Sequence, residues 1–167
     1  MPANKSRREF FNFLSSPVKG GESSKNIIIR PPYSSVESAF DTECQNCDGK
    51  CATLCQEQII IIGEDKTPRL NFSKTGCTYC EECANACEFG ILELTCKDNI
   101  QVGIDINPSS CLSWNSTMCF SCKDPCLEDA IIFNGMFKPF IDESKCTSCG
   151  FCISRCPTLA IDIKAVS

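Results

Sequence analysis

Cys146-Thr-Ser-Cys149-Gly-Phe-Cys152-Ile-Ser-Arg-Cys156-Pro157 is the stretch of this chain that decides its fold. Its spacing, C-x2-C-x2-C-x3-C-P, is a bacterial pattern in which cysteine thiolates hold iron–sulfur clusters. The two-residue gaps place three sulfurs on one small concave loop, and Cys152 and Cys156 stand about one helical turn apart. Pro157 ends that turn because its nitrogen carries no hydrogen-bond donor. The stretch therefore predicts a cluster-binding loop.

Three earlier stretches repeat this motif with variations. The second motif, Cys77-x2-Cys80-x2-Cys83-x3-Cys87, has the same spacing. The first, Cys44-x2-Cys47-x3-Cys51-x3-Cys55, has one extra residue, which we expect Gly49 to absorb by taking a positive φ. The third, Cys111-x7-Cys119-x2-Cys122-x3-Cys126, opens with a long gap that includes Trp114. The chain thus carries four versions of one motif.

The segments between the motifs also repeat. After the first motif, 59–62 and 69–72 predict a β-hairpin, and 90–94 predicts a strand after the second. In the second half, 100–106 and 159–163 predict strands, and 130–137 predicts a hairpin with a type I′ turn at Asn134-Gly135. Pro139 marks the returning strand as an edge strand or its end.

This repeat predicts an α+β fold made of two tandem bacterial 2[4Fe–4S] ferredoxin-like domains, with a small core organised around the clusters. The expected divisions are a flexible or extended N-terminal tail (1–43), a first domain (44–99) and a second domain (100–167). Each domain is too small to fold on its apolar side chains alone, so the apoprotein should be largely unfolded.

The crossed topology of two-cluster loops assigns the ligands, because the fourth cysteine of a run reaches the other cluster. The four predicted [4Fe–4S] ligand sets are, for cluster 1, Cys44, Cys47, Cys51 and Cys87; for cluster 2, Cys77, Cys80, Cys83 and Cys55; for cluster 3, Cys111, Cys119, Cys122 and Cys156; and for cluster 4, Cys146, Cys149, Cys152 and Cys126. The unusual gaps leave clusters 1 and 3 open to a different nuclearity or to iron loss. Cys96 fits no set and is expected to be a buried apolar thiol.

Two alternatives for the 17 cysteines are a disulfide scaffold and zinc. The odd count and the missing signal peptide disfavour the first, and the three-plus-one arrangement is redundant for zinc knuckles. The chain has no His, which excludes mixed Cys/His sites and removes the commonest general base. No apolar run approaches the length of a membrane helix, so we expect a soluble protein.

Charge is divided unevenly along the chain. Residues 1–40 contain six Lys/Arg and three Asp/Glu, a net charge of +3, whereas residues 41–167 carry a net charge of −8. Four oxidised cubes with their thiolates would each add about −2. This acidic body argues against binding to nucleic acid and favours basic protein partners.

The N-terminal segment contains Ser6-Arg7-Arg8-Glu9-Phe10-Phe11, which is similar to the core of a twin-arginine export motif. The residues that follow are too few and too polar for a signal segment, so we expect no cleaved signal. Arg7 and Arg8 are instead candidate partner-docking residues, because arginine beside aromatic residues suits an interface. A basic, disordered arm is the alternative.

No catalytic constellation accompanies the motifs, so an enzyme is not expected. An all-cysteine cube has no open iron position, and one-electron transfer is the chemistry that it offers.

Four features make the chain similar to the NapF family, the ferredoxin-type accessory proteins of periplasmic nitrate reductase systems. They are Ser6-Arg7-Arg8, Ile29-Arg30-Pro31-Pro32, Phe40, and the four motifs with the x7-x2-x3 spacing of the third. The chain departs from the family pattern in two ways. It has an extra residue before Cys51, and no proline follows the fourth cysteine in the first three motifs.

The resemblance implies a cytoplasmic four-cluster protein that helps to mature the nitrate reductase catalytic subunit before export, by direct contact and electron supply. One alternative is a carrier subunit that passes electrons from a redox donor protein to a terminal reductase. Another is a detached iron–sulfur module of a larger redox complex.

Overall fold

A computed structural model describes residues 27–34 and 36–166 of the chain. Within these residues, short helices carry the cysteine loops, and six strands pair into three two-stranded antiparallel sheets. The helices are α1 (Glu37–Glu43), α2 (Lys50–Thr53), α3 (Glu82–Asn85) and α4 (Phe151–Arg155), with 3₁₀ turns at Cys44–Asn46 and Leu94–Cys96. The strands are β1 (Ile60–Ile62), β2 (Pro68–Leu70), β3 (Val102–Ile106), β4 (Ile131–Asn134), β5 (Phe137–Ile141) and β6 (Ile161–Ala165).

The two predicted hairpins are confirmed. Strand β1 pairs with β2, and β4 pairs with β5, in each case between the fourth cysteine of one motif and the first of the next. The turn of the second hairpin differs from the prediction. Its central residues are Gly135 and Met136, and only Gly135 has a positive φ, at 68°. This is the pattern of a type II′ turn, in which glycine takes the first central position, rather than of a type I′ turn.

The strand predicted at 100–106 is confirmed as β3, which pairs antiparallel with β6 from Val102↔Ala165 to Ile106↔Ile161. The equivalent prediction at 90–94 is wrong, because this segment makes only a single bridge, Leu92↔Ser34, before the 3₁₀ turn at Leu94–Cys96. The first half thus lacks a sheet as long as that of the second half. The reason is that segment 90–94 pairs with an irregular, proline-containing segment instead of a regular strand.

Residues 27–34, here called the strap, hold the first half together. The carbonyl of Ile29 accepts a hydrogen bond from the Leu70 N–H at 2.8 Å, and the carbonyl of Tyr33 accepts one from Glu93 at 2.8 Å. Ile29 and Tyr33 are buried, the latter 1% exposed. The strap therefore spans the distance between strand β2 and the segment that follows the second motif.

Part of the segment predicted as an extended tail is helical. Helix α1 buries a single side chain, Phe40, which is fully inaccessible to solvent. The Arg30 guanidinium lies 4.4 Å from the centre of the Phe40 ring and also donates to the buried Thr67 hydroxyl at 2.8 Å and to the Pro68 carbonyl at 2.9 Å. Arg30 consequently joins the strap, helix α1 and the first hairpin.

Candidate iron–sulfur sites

A tight turn follows the fourth cysteine of every motif. In each turn, the N–H three residues after the cysteine bonds to the cysteine carbonyl, at 3.0–3.3 Å, and this residue has a positive φ of 48–65°. The turn residues are Gln58, Gly90, Asp129 and Leu159. Sequence reasoning missed these turns, because only one of the four positions is glycine, the usual signal of a positive φ.

The two residues after each turn are apolar and buried, which anchors the turn to the core. These pairs are Ile59 and Ile60, Ile91 and Leu92, Ala130 and Ile131, and Ala160 and Ile161. A burial of this regularity explains why non-glycine residues accept the left-handed conformation, since the packing of their neighbours offsets its cost of about 1–2 kcal/mol. The repeated apolar pair is the sequence signal that could have revealed the turn.

A left-handed residue also starts each of the three helices that carry a third cysteine. Gly49 precedes α2 with φ 68°, which confirms the positive φ predicted for it. Glu81 precedes α3 with φ 70°, and Gly150 precedes α4 with φ 85°. A reversal of backbone hand at this point turns the chain from the first two cysteines into a short helix.

The third motif is built differently, by side-chain hydrogen bonds within its seven-residue gap. The Ser113 hydroxyl is buried and donates to the Cys119 carbonyl at 2.8 Å, while the Asn115 amide donates to the Cys111 carbonyl at 2.8 Å. Trp114 lies on the outside of this loop, with its indole N–H bonded to the Pro139 carbonyl at 3.0 Å. Ser113 and Asn115 are shaping residues that the spacing alone did not indicate.

Three cavities are each lined by four cysteines. The cysteines of the first cavity are Cys55, Cys77, Cys80 and Cys83; those of the second are Cys126, Cys146, Cys149 and Cys152; and those of the third are Cys111, Cys119, Cys122 and Cys156. Each cavity combines three cysteines of one motif with the fourth cysteine of its partner motif. Apolar side chains such as Ile60, Ile131 and Ile161 form much of the remaining walls, together with polar loop residues such as Glu57, Glu128 and Thr158.

The cysteines of the first motif gather with Cys87 in the same crossed manner. Desolvation by burial, followed by the effect of the neighbouring Cys47 and Cys87 thiols, raises the pKa of Cys51 to about 11. The same two thiols raise the pKa of Cys44, again after the larger effect of burial. Cys44, Cys47, Cys51 and Cys87 therefore lie close enough for their charges to affect one another.

Burial disfavours the charged thiolate form of several cysteines in the sites. It is the largest cause that raises the pKa of Cys77 and Cys122 to about 11 and that of Cys83 and Cys152 to about 12, with neighbouring thiols adding to it. A group of buried thiolates therefore needs compensating positive charge, which iron ions supply, and metal binding of this kind is coupled to folding.

Backbone N–H groups point at several of the sulfurs. Gly49 and Tyr79 donate to the sulfurs two residues before them, both at 3.4 Å, and Leu92 and Ala160 donate to Cys87 and Cys156 at 3.4 and 3.2 Å. Hydrogen bonds to cluster sulfurs are one of the means by which a protein sets the reduction potential of an iron–sulfur site.

The donor set fits [4Fe–4S] clusters. All 17 cysteines fall within the described residues, and all are free thiols. In the same part of the chain, no three Cys, Asp or Glu side chains stand close enough to share one metal ion. A cube does not need such closeness, because each thiolate binds a different iron atom, and it needs the kind of cavity that the thiols surround here.

Cys96 differs from the prediction of a buried thiol. It is half-buried in the 3₁₀ turn, with its sulfur 3.9 Å from the Thr95 hydroxyl. It lines none of the three four-cysteine cavities. Arg7 and Arg8, the candidate docking residues, lie outside the described residues. Within 27–34 and 36–166, no helix is long and apolar enough to cross a membrane.

Crossed sets of four thiols around apolar-walled cavities define an iron–sulfur protein of the ferredoxin type. The family of 4Fe–4S binding domains, Fer4, matches residues 139–162. The ferredoxin-type protein NapF of Escherichia coli (strain K12) is 34% identical over 137 residues, which cover 80% of this chain and 82% of that protein. NapF of Haemophilus influenzae is 31% identical over 170 residues, covering 95% and 93%. This chain belongs to the NapF family of ferredoxin-type proteins.

A methylamine utilization ferredoxin-type protein, MauM of Methylorubrum extorquens, is more distant, at 27% identity over 164 residues that cover 86% of this chain and 74% of that protein.

Proposed function

We propose that this chain is a four-cluster electron-transfer accessory protein that assists maturation of the periplasmic nitrate reductase catalytic subunit in the cytoplasm, before export. The observation that carries the proposal is the crossed gathering of cysteines, with three motif cysteines and one borrowed cysteine around each cavity. We propose the ligand sets given above for clusters 2, 3 and 4 on this basis, and the set for cluster 1 on the mutual effects of its thiols. The four sets would lie within two tandem ferredoxin-like domains (44–99 and 100–167) preceded by residues 1–43.

The chemistry follows from the donor set. A [4Fe–4S] cluster with four cysteine ligands, when bound, supplies one-electron redox chemistry and has no free iron position for a substrate. The chain's own groups hold and tune it: thiolates bind, the N–H groups of Tyr79 and Ala160 stabilise negative charge on sulfur, and strand residues such as Ile131 keep water away. We therefore propose electron transfer rather than an enzymatic reaction.

The number of clusters is tested by iron analysis. Protein purified without oxygen is expected to contain about sixteen irons and sixteen acid-labile sulfides per chain, since each of four cubes contributes four of each. Reduction with dithionite should produce low-temperature EPR signals. About four metal ions with no sulfide would instead mean zinc and would overturn the proposal.

The maturation role is tested at Arg7 and Arg8. The double variant Arg7→Ala/Arg8→Ala is expected to bind the nitrate reductase catalytic subunit at least about tenfold more weakly, because arginine at an interface commonly contributes more than 1.4 kcal/mol. Its visible absorption should be unchanged. The matched control, Lys19→Ala/Lys25→Ala, removes two positive charges from the same segment and should retain binding. Undiminished binding and active reductase in cells that carry the arginine variant would contradict a maturation role.

The second candidate, a carrier that delivers electrons from a redox donor protein to a terminal reductase, predicts a different outcome. A carrier should deliver electrons normally without residues 2–26. The deletion ends at residue 26 because Ile29, Tyr33 and Phe40 belong to the buried core of the first half. Loss of partner binding with retained iron and retained electron delivery to an artificial acceptor favours maturation.

A further inference from the structure

We infer that the four clusters form one linear series in the order 1–2–4–3, and that Tyr79 is the positioning residue that joins the two halves between clusters 2 and 4. This inference rests on the proposed four-cluster function. It concerns how electrons cross from one half of the chain to the other, which the spacing of the motifs does not specify.

The two halves meet at their cysteine loops. The Cys77 N–H donates to the Cys149 carbonyl at 2.7 Å, so a ligand of cluster 2 and a ligand of cluster 4 are joined by one hydrogen bond. A Cβ at Gly76 would lie 2.5 Å from the Phe151 nitrogen and 2.6 Å from the Cys149 carbonyl oxygen. Only glycine permits this approach, because the obstructing atoms belong to the backbone.

Tyr79 connects the same two loops through its side chain. Its hydroxyl donates to the Thr147 carbonyl at 2.5 Å and accepts from the Ile100 N–H at 3.2 Å. Tyr79 lies between Cys77 and Cys80, and Thr147 follows Cys146, so the phenol spans two cluster loops and the start of the second half. The Tyr33 hydroxyl donates to the Tyr79 carbonyl at 3.0 Å and fixes this residue from the side of the strap.

Aromatic packing seals the junction. Phe72, which is 3% exposed, lies against Gly150, where a Cβ would be 2.4 Å from its ring. The Ser148 hydroxyl is buried and donates to the Val102 carbonyl at 2.5 Å, which ties the fourth loop to strand β3. The two loops are therefore held by contacts on both sides of the Cys77–Cys149 hydrogen bond.

Within each half, the crossed ligands make the two clusters neighbours. Cys83 is assigned to cluster 2 and Cys87 to cluster 1, yet they are only four positions apart in the sequence. Likewise, Cys51 is assigned to cluster 1 and Cys55 to cluster 2, again four positions apart. Helix α2 packs against α3, which brings these two spans together. The same crossing relates clusters 3 and 4 through the fourth-position cysteines of the third and fourth motifs. Because the halves touch at motifs two and four, clusters 1 and 3 are left at the ends of the series.

The test isolates the junction in the double variant Cys44→Ala/Cys119→Ala, in which the two end clusters are removed. This protein is expected to hold about eight irons, as two cubes contribute four each. After reduction with dithionite, its EPR spectrum should show spin–spin interaction, which must cross from one half to the other. Addition of Tyr79→Phe removes two of the hydrogen bonds that hold the junction and should weaken this interaction. Addition of Phe140→Leu, a change of an aromatic residue that is 47% exposed on strand β5 and lies outside the four motifs, should leave it intact. Eight irons with two non-interacting signals would overturn the inference.

A second comparison uses the full set of cysteines, in case the double variant does not retain its irons. Tyr79→Phe and Phe140→Leu are each introduced into the otherwise unchanged holoprotein. A narrower reduced spectrum in Tyr79→Phe alone, at unchanged iron content, supports the junction, and identical spectra overturn it. Failure of the proposed function itself is distinguishable, since the unsubstituted chain would then contain far fewer than about sixteen irons.

Discussion

Removal of iron by an anaerobic chelator under reducing conditions is expected to unfold the described part of the chain, with loss of most of its far-UV circular dichroism and of protection from proteases. The physical reason is that cysteine-lined cavities occupy the interior. Cys44, Cys51, Cys83 and Cys111 are themselves buried core residues, each at most 9% exposed. Without metal, the sites contain voids and poorly solvated thiols, both of which favour the unfolded chain.

The secondary structure of the described residues does little to keep the chain folded once iron is removed. Each sheet has only two strands, the helices other than α1 have four or five residues, and such elements are not stable on their own. Circular dichroism and limited proteolysis, followed together with visible absorption, check the prediction. Full bleaching with an unchanged far-UV spectrum would contradict it.

A pair of matched variants separates ligand cysteines from the remaining one. Cys83→Ser is expected to lose about four of the sixteen irons, since it removes a ligand from one proposed cube. Cys96→Ser is expected to keep them all, because Cys96 is half-buried beside Thr95 and lines none of the three four-cysteine cavities. Equal iron loss in both variants would mean that Cys96 takes part in a site.

Replacement of Phe40 by alanine is expected to lower the free energy of unfolding by about 3–5 kcal/mol, the usual range for a fully buried phenylalanine. Phe40 is the only buried side chain of helix α1, so its truncation removes the contact that holds this helix on the first half. A seven-residue helix has too few internal hydrogen bonds to persist without that contact. The Arg30 guanidinium also loses the ring over which it lies.

The effect of Phe40→Ala is measured on anaerobic holoprotein as the guanidinium concentration at which half the visible absorption is lost, and a decrease on the order of 1 M is expected. Val36→Ala is the control, since Val36 adjoins the same helix but is 55% exposed. It should shift the midpoint only slightly. Equal midpoints for Phe40→Ala and the unsubstituted protein would show that α1 and the strap do not contribute to the stability of the first half.

The Phe40 prediction also shows where sequence-based reasoning was incomplete. Residues 27–43 contain no cysteine and little amphipathic pattern, so they were predicted to be part of a tail. Their contacts are with residues far along the chain: Arg30 bonds to Thr67, and Tyr33 bonds to Tyr79 and Glu93. Long-range hydrogen bonds of single residues leave no periodic signal in a sequence.

The strand predicted at 90–94 failed for a related reason. Its composition suits a strand, and the equivalent segment in the second half does form β6. A strand exists only if a regular partner lies beside it, and here the partner is the strap, whose prolines lack N–H donors. The neighbour, rather than the segment itself, decided the outcome.

The amino-acid sequence by itself determined the class of this protein, because ligand spacing is a local property. Gaps of two and three residues fix which sulfurs share a loop, and apolar pairs after the fourth cysteines fix where the chain enters the core. Only the tertiary structure decided how the halves join, since the Cys77–Cys149 and Tyr79–Thr147 hydrogen bonds connect residues about seventy positions apart. Such contacts depend on the packing of whole loops against each other, and no spacing within a single motif encodes them.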